Sequence, residues 1–183
     1  DQAVDAAVAM LSAGIPIARV ELVDARSVKQ VNIHSETDYL EKPTLFLEFH
    51  GNQAGLEQDV AFAKELVNDE GCLAFQVESD SKKRAKLWEA RHNLAYAFIH
   101  GFPEKKMMLT DVCLPLTELT GSIHHAREVI DASGLDGAVL GHVGDGNFHT
   151  ILMFDPKDEN GLDKANEVNE QIVEYALTRG GTC

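Results

Sequence analysis

The sequence is short of basic charge, of cysteine and of aromatic side chains. Only 16 Lys and Arg stand against 30 Asp and Glu, giving a net charge of −14. A chain this acidic is repelled by nucleic-acid phosphates and by anionic lipid, so neither is expected as a partner, and an anionic ligand must meet specific local cations. Cysteine occurs three times, at Cys72, Cys113 and Cys183, widely spaced and never as C-x-x-C. That excludes a disulfide framework and a thiolate zinc site and fits a reducing compartment. No apolar run approaches the ~20 residues of a membrane helix. The apolar stretch near Ala3–Leu11 lacks the basic flank of a signal peptide. Neither H-E-x-x-H nor H-x-x-E-H occurs, and there is no low-complexity tract, linker or close repeat.

What is present is a chain of 183 residues, 44% hydrophobic and 25% charged, enough for one packed domain. Periodicity predicts helices over 1–13, 24–35, 52–70, 79–99, 117–132 and 157–178. Asp24 is the expected cap of the second of these. Strands are expected over 16–23, 43–50, 72–77, 107–114, 137–143 and 148–154. Helices separate the strands except at the end, where two strands form a hairpin. The order suits an α+β domain with a largely antiparallel sheet and helices on one face of it. A split β-α-β unit used twice would produce that order, giving a duplicated ferredoxin-like fold with two pseudo-repeated halves over 1–183. The chain opens at Asp1 without an initiator Met and stops at R-G-G-T-C without closing an element; both ends read as cut.

The stretch A-V-L-G-H-V-G-D-G-N-F-H-T-I-L-M-F, Ala138–Phe154, carries the chemistry. Asp145-Gly146 favours a two-residue hairpin turn. Such a turn opposes Gly144 to Asn147, Val143 to Phe148, and His142 to His149. Opposed side chains on an antiparallel pair share a face with Cβ atoms ~5 Å apart, so the two imidazoles meet. Two neutral imidazoles so placed can bind a divalent metal, but a catalytic site usually wants three protein ligands. The residues alone leave a structural hairpin and a metal pair both open. Gly141, Gly144 and Gly146 are expected to keep the surface open beside the imidazoles, and Asn147 is a candidate for orienting substrate.

G-H-V-G-D-G-N-F-H resembles the signature of the C-terminal domain of FAD-linked oxidases, the flavoprotein group that includes D-lactate dehydrogenase and the glycolate oxidase flavoprotein subunit. I-P-I-A-R-V-E-L-V-D, P-T-L-F-L-E-F-H-G, L-W-E-A-R-H-N and T-D-V-C-L-P-L-T-E-L resemble further blocks of the D-lactate dehydrogenase (cytochrome) type, in order along nearly the whole chain. The resemblance implies a cap domain lying over an FAD held mainly by an absent N-terminal domain. It implies oxidation of a D-2-hydroxy acid, D-lactate to pyruvate, with electrons passed to cytochrome c or a quinone. His142 and His149 would be ligands of a divalent metal (zinc, manganese or iron by donor type). Arg91, in W-x-x-R, would grip the substrate carboxylate in bidentate fashion. The third ligand and the catalytic base would come from a Gly-Glu-His-Gly segment just beyond Cys183, so no catalytic residue is expected within this chain, and the chain by itself is expected to be inactive. No residue is assigned to the flavin.

Other residues read more plainly. An arginine such as Arg91 can also be a surface residue paired with Glu89 or Asp80. Trp88 reads as core, His92 as structural or surface, Glu48 and His50 as a solvated sheet face, and His124 and His125 as surface. Leu109 is apolar where a dicarboxylate-specific relative would want a cation, which favours a short monocarboxylate. The setting implied is cytoplasmic or peripheral to the bacterial inner membrane, or mitochondrial in a eukaryote. The rival class is a stand-alone ferredoxin-like module that binds a ligand or regulates without catalysis.

Overall fold

The computed structural model describes residues 2–183, so the first residue of the expected opening helix lies outside it. Seven helices and five strands follow in chain order among the described residues: α1 (Gln2–Ser12), β1 (Ile17–Val23), α2 (Ala25–Ser35), β2 (Thr44–Phe49), α3 (Gln53–Asp69), α4 (Ser81–His92), α5 (Leu94–Gly101), β3 (Lys106–Cys113), α6 (Leu116–Ser133), β4 (Asp136–Gly141), β5 (Asn147–Phe154) and α7 (Gly161–Leu177). A short 3-10 turn, Val143–Asp145, joins β4 to β5. The sheet runs β2-β1-β4-β5-β3, and every pairing in it is antiparallel. The expected α+β class with a largely antiparallel sheet is what forms.

Helices cover both faces, not one. Because strand side chains alternate, Val20, Leu22, Val112, Val139, Phe148 and Leu152 point to one side, where α1, α6 and α7 pack. Val23, Ala138, Leu140, Ile151 and Met153 point to the other, under Val28 and Val31 of α2 and Leu94 and Phe98 of α5. A third, smaller cluster ties α1 to α3 through Met10, Ala63 and Val67.

Asp24 does cap α2, and it does more. One carboxylate oxygen accepts from the Ser27 N–H at 2.8 Å. The other accepts from the Val139 N–H at 2.8 Å and from the Arg127 guanidinium of α6. The residue after β1 thereby fixes β1, α2, β4 and α6 to one another.

Two further expectations fail. No strand forms over 72–77. Its alternation is strand-like, but a strand needs a partner edge. This segment has none, so Cys72 and Phe75 instead pack on the cluster between α1 and α3, while Leu73 and Val77 face solvent. The helix expected over 79–99 breaks at Asn93, whose φ −81° and ψ 5° turn the chain. The halves have different tasks. α4 buries no residue, while α5 buries Leu94, Ala97 and Phe98. The break lets α5 lie on the sheet and swings the end of α4 out over its uncovered part.

Candidate functional site

The β4–β5 connection is not the two-residue turn that Asp145-Gly146 suggests. The paired residues are Leu140 and His149, not His142 and His149. Between them the chain makes a 3-10 turn, with Gly146 at φ +74° and the His142 carbonyl accepting from both Asp145 N–H and Asn147 N–H. The physical reason is tight packing. A Cβ on Gly146 would lie 2.2 Å from the Leu114 carbonyl oxygen, and one on Gly141 would lie 2.4 Å from the Phe148 Cα. These glycines permit close approach of backbone within the chain; they do not open a surface. The register error is two residues, an even number, so it leaves the facing of every side chain unchanged. His142 and His149 still meet, with ring centroids 5.3 Å apart and planes at 85°.

They meet on the face that α2 and α5 cover further along. Arg19 and Glu21 precede Val23 on β1 by steps of two, and so share its face. His149 stands two before Ile151 on β5, and Leu109 and Asp111 follow Met107 on β3 in the same way. Beyond the edge of α5 this face changes from apolar to ionic. β1 helps to expose it, since it pairs with β4 only at Leu22–Gly141 and Val23–Leu140.

Each imidazole is held through Nδ1 by a carboxylate. His142 Nδ1 lies 2.6 Å from Glu21 Oε1, and His149 Nδ1 lies 3.2 Å from Asp111 Oδ1. A carboxylate only accepts, so the 2.6 Å hydrogen bond places a proton on His142 Nδ1 and, in a neutral ring, leaves the lone pair on Nε2; the ion-pair contact of His149 with Asp111 favours the same tautomer. No hydrogen bond among the described residues engages either Nε2. Carboxylate at one ring nitrogen and metal at the other is the usual outer arrangement of a metal-bound histidine. Burial pushes the His149 pKa below its ordinary value. The Asp111 charge opposes that shift, while His142 and Arg91 add to it. A neutral ring is the form that ligates. The donor set stops at two, however: among the described residues no group of three or more His, Cys, Asp or Glu is arranged to hold a metal ion.

Arg91, at the end of α4, pairs with neither Glu89 nor Asp80. Its guanidinium donates to Glu21 Oε2 at 2.9 Å, with 11% of the Arg91 side chain and 6% of the Glu21 side chain exposed. Its Nε is buried without a hydrogen-bond partner. Asn147 donates its amide to Asp111 Oδ1 at 2.6 Å and to the Val112 carbonyl at 3.0 Å, leaving only its amide oxygen for a ligand. A cleft of about 410 Å³ opens beside the cluster, lined among others by Arg19, Glu21, His92, His142 and Asp145.

Glu21 and Asp111 went unnoticed in the sequence. Glu21 had a signal: it is an acid inside an apolar central strand, on the same face as Val23. Asp111 had one only through the β3–β5 register, which opposes it to His149. His92 is exposed, as expected of a surface residue, and lines the cleft. Trp88 is half-buried at the margin rather than in the core, 6.1 Å from Phe46 and with the Arg19 guanidinium 4.5 Å above its ring. Glu48 and His50 bond to each other at 3.0 Å on the outer part of the sheet.

Residues 1–183 match the family described as FAD linked oxidases, C-terminal domain. The chain is 37% identical to "Probable D-lactate dehydrogenase, mitochondrial" of Danio rerio over 99% of its own length and 36% of that protein's. It is 34% identical to "D-lactate dehydrogenase [cytochrome], mitochondrial" of Arabidopsis thaliana, over 99% of the chain and 32% of the relative. A glycolate oxidase subunit of Escherichia coli matches at 23% identity over 94% of the chain and 35% of that subunit. The chain thus spans about a third of the length of these relatives. Among solved structures, a 4-ethylphenol oxidase from Gulosibacter chungangensis superposes with a TM-score of 0.65 at 12% identity, over 97% of this chain and 42% of that one, a likeness of fold. With the match running from one end of the chain to the other, the chain belongs to the C-terminal domain family of the FAD-linked oxidases.

Proposed function

We propose that this chain is the substrate- and metal-binding cap domain of an FAD-dependent D-2-hydroxy-acid dehydrogenase that converts D-lactate to pyruvate. The observation that carries the reading is the pair of imidazoles 5.3 Å apart, each held at Nδ1 by a carboxylate, with Arg91 tied to the same cluster through Glu21. His142 and His149 would hold a divalent metal through Nε2, with the third ligand and the proton-accepting base supplied from outside this chain. Zinc, manganese and iron all suit two imidazoles and a carboxylate. When bound, the metal supplies Lewis acidity and the flavin supplies a two-electron acceptor.

The chain's own residues bind and orient. The Arg91 guanidinium takes the substrate carboxylate, using N–H groups that Glu21 leaves free. Asn147 contributes its amide oxygen and steadies Asp111. Positioning of this kind accounts for much of an enzyme's rate advantage. Leu109, 57% exposed two residues from Asp111 on the same face, gives the pocket an apolar margin that suits a short monocarboxylate. FAD would be held mainly by a domain outside these 183 residues, so the chain alone would not turn over. The names of the relatives favour a cytochrome as electron acceptor and a mitochondrial setting if the organism is eukaryotic. Among the described residues no helix is long and apolar enough to cross a membrane.

The test is a panel of D- and L-2-hydroxy acids on the full-length protein, with bound flavin and metal analysed. Flavin reduction by D-lactate and not by L-lactate is the expected result. A full-length protein with neither flavin nor hydroxy-acid oxidation would replace this reading with that of a ligand-binding or regulatory module.

A further inference from the structure

Glu21 is the most buried charged side chain of the cluster, 4% exposed in the central part of β1. A carboxylate removed from water is costly unless it is paired and hydrogen-bonded. Glu21 is paired twice, one oxygen to His142 Nδ1 at 2.6 Å and the other to the Arg91 guanidinium at 2.9 Å. Those partners stand 121 and 70 positions away in the chain. A brace for α4 alone would need only Arg91. The second contact has a chemical consequence, because an acceptor at Nδ1 fixes the His142 tautomer and ring orientation and leaves Nε2 bare. Asp111 stands 3.2 Å from His149 Nδ1 as an ion-pair contact, and from an exposed position, with 69% of its side chain in solvent.

We infer that Glu21 is the positioning residue of the site: one buried carboxylate presents His142 Nε2 to the metal and holds Arg91 for the substrate carboxylate. The inference rests on the metal reading proposed above. It assigns unequal weight to the two carboxylates, since the Glu21 side chain is 6% exposed and that of Asp111 69%. Glutamine at position 21 cannot replace glutamate. If its amide oxygen accepts from His142, its NH2 faces the donors of Arg91; if its NH2 faces His142, the ring must turn over to the other tautomer.

The experiment measures Mn2+ affinity by chelator competition in the full-length flavoprotein, with thermal unfolding alongside. Glu21→Gln is expected to weaken Mn2+ about 10- to 100-fold, the range for loss of a partner behind a metal-bound histidine. Asp111→Asn is expected to weaken it less. Because Glu21→Gln alone leaves a buried guanidinium unpaired, Glu21→Leu with Arg91→Met removes both charges together, leaves no acceptor at His142 Nδ1 and is expected to fold with the same loss of Mn2+ affinity. Parent-like Mn2+ affinity in both Glu21 variants, with His142→Ala weakened, would overturn the positioning role and leave the metal site standing. Parent-like affinity in His142→Ala and His149→Ala as well would overturn the metal reading and this inference together.

Discussion

One face of one sheet contains two regions that differ in almost everything except their strands. On the covered part, Val23, Ala138, Leu140, Ile151 and Met153 lie under α2 and α5, all 6% exposed or less. On the open part, Arg19 and Glu21 stand on β1, His149 on β5 and Asp111 on β3, with His142 just past the end of β4; Glu21 joins His142 to Arg91, and Asp111 pairs with His149. The border is the break at Asn93, which seats α5 on the sheet and leaves the end of α4 to supply Arg91. The apolar part gains its stability from area removed from water, which is non-directional. The ionic part gains little stability for its size and fixes specific atoms in place. Stability and chemistry are thus separated along the strands, and substitutions should separate them too.

The largest effect on stability should come from the covered part. Phe98→Ala removes a ring that is 2% exposed over this face and is expected to cost about 3–5 kcal/mol by denaturant titration. Mn2+ affinity of the folded fraction should stay as in the parent. If it falls in proportion, the two parts are not independent. The converse change is Arg91→Lys, which keeps the charge and loses the planar fork. It is expected to raise KM for D-lactate about 10- to 100-fold, the scale of a lost charge-assisted hydrogen bond, and to reduce kcat less. A fall in kcat at constant KM would remove Arg91 from substrate binding.

The border itself explains what could be read from the sequence. The helices with clean periodicity, α1, α2, α3 and α6, and the strands β1, β2, β3 and β5 lie close to where pattern puts them, while β4 ends two residues early. Those signals are local. The failures at 72–77, at Asn93 and at the turn after β4 are tertiary. Residues 72–77 alternate like a strand but find no edge. The break at Asn93 follows from where α5 must lie. The turn after β4 is set by contacts of Gly141 and Gly146 with Phe148 and Leu114, which no spacing in the sequence reports. His142, His149 and Arg91 were legible as residues, and the structure brings all three into one cluster. Glu21, which joins two of them, carried an ambiguous signal, because an acid between apolar neighbours also looks in sequence like the outward position of an ordinary strand.

The smallest expected effect is on pH dependence. Burial holds the His149 pKa below 6.5 in the folded chain. The unfolded chain therefore binds more protons under mildly acidic conditions. The stability this contributes is fully present above the unfolded value and is lost as pH falls through the folded one. His149→Gln should flatten the fall in urea stability between about pH 7.5 and about pH 5.5. An unchanged slope would assign that fall to other groups.

The central claim is that the ionic part of this face is where a D-2-hydroxy acid is oxidised. The most direct test mixes the full-length flavoprotein anaerobically with D-lactate and follows reduction of the flavin in the parent and in His149→Ala. Rapid bleaching in the parent is the predicted result, with loss on the order of 10³-fold or more in His149→Ala, the scale of several kcal/mol of Lewis-acid assistance, and with FAD still bound. Bleaching of His149→Ala at the parent rate would contradict it.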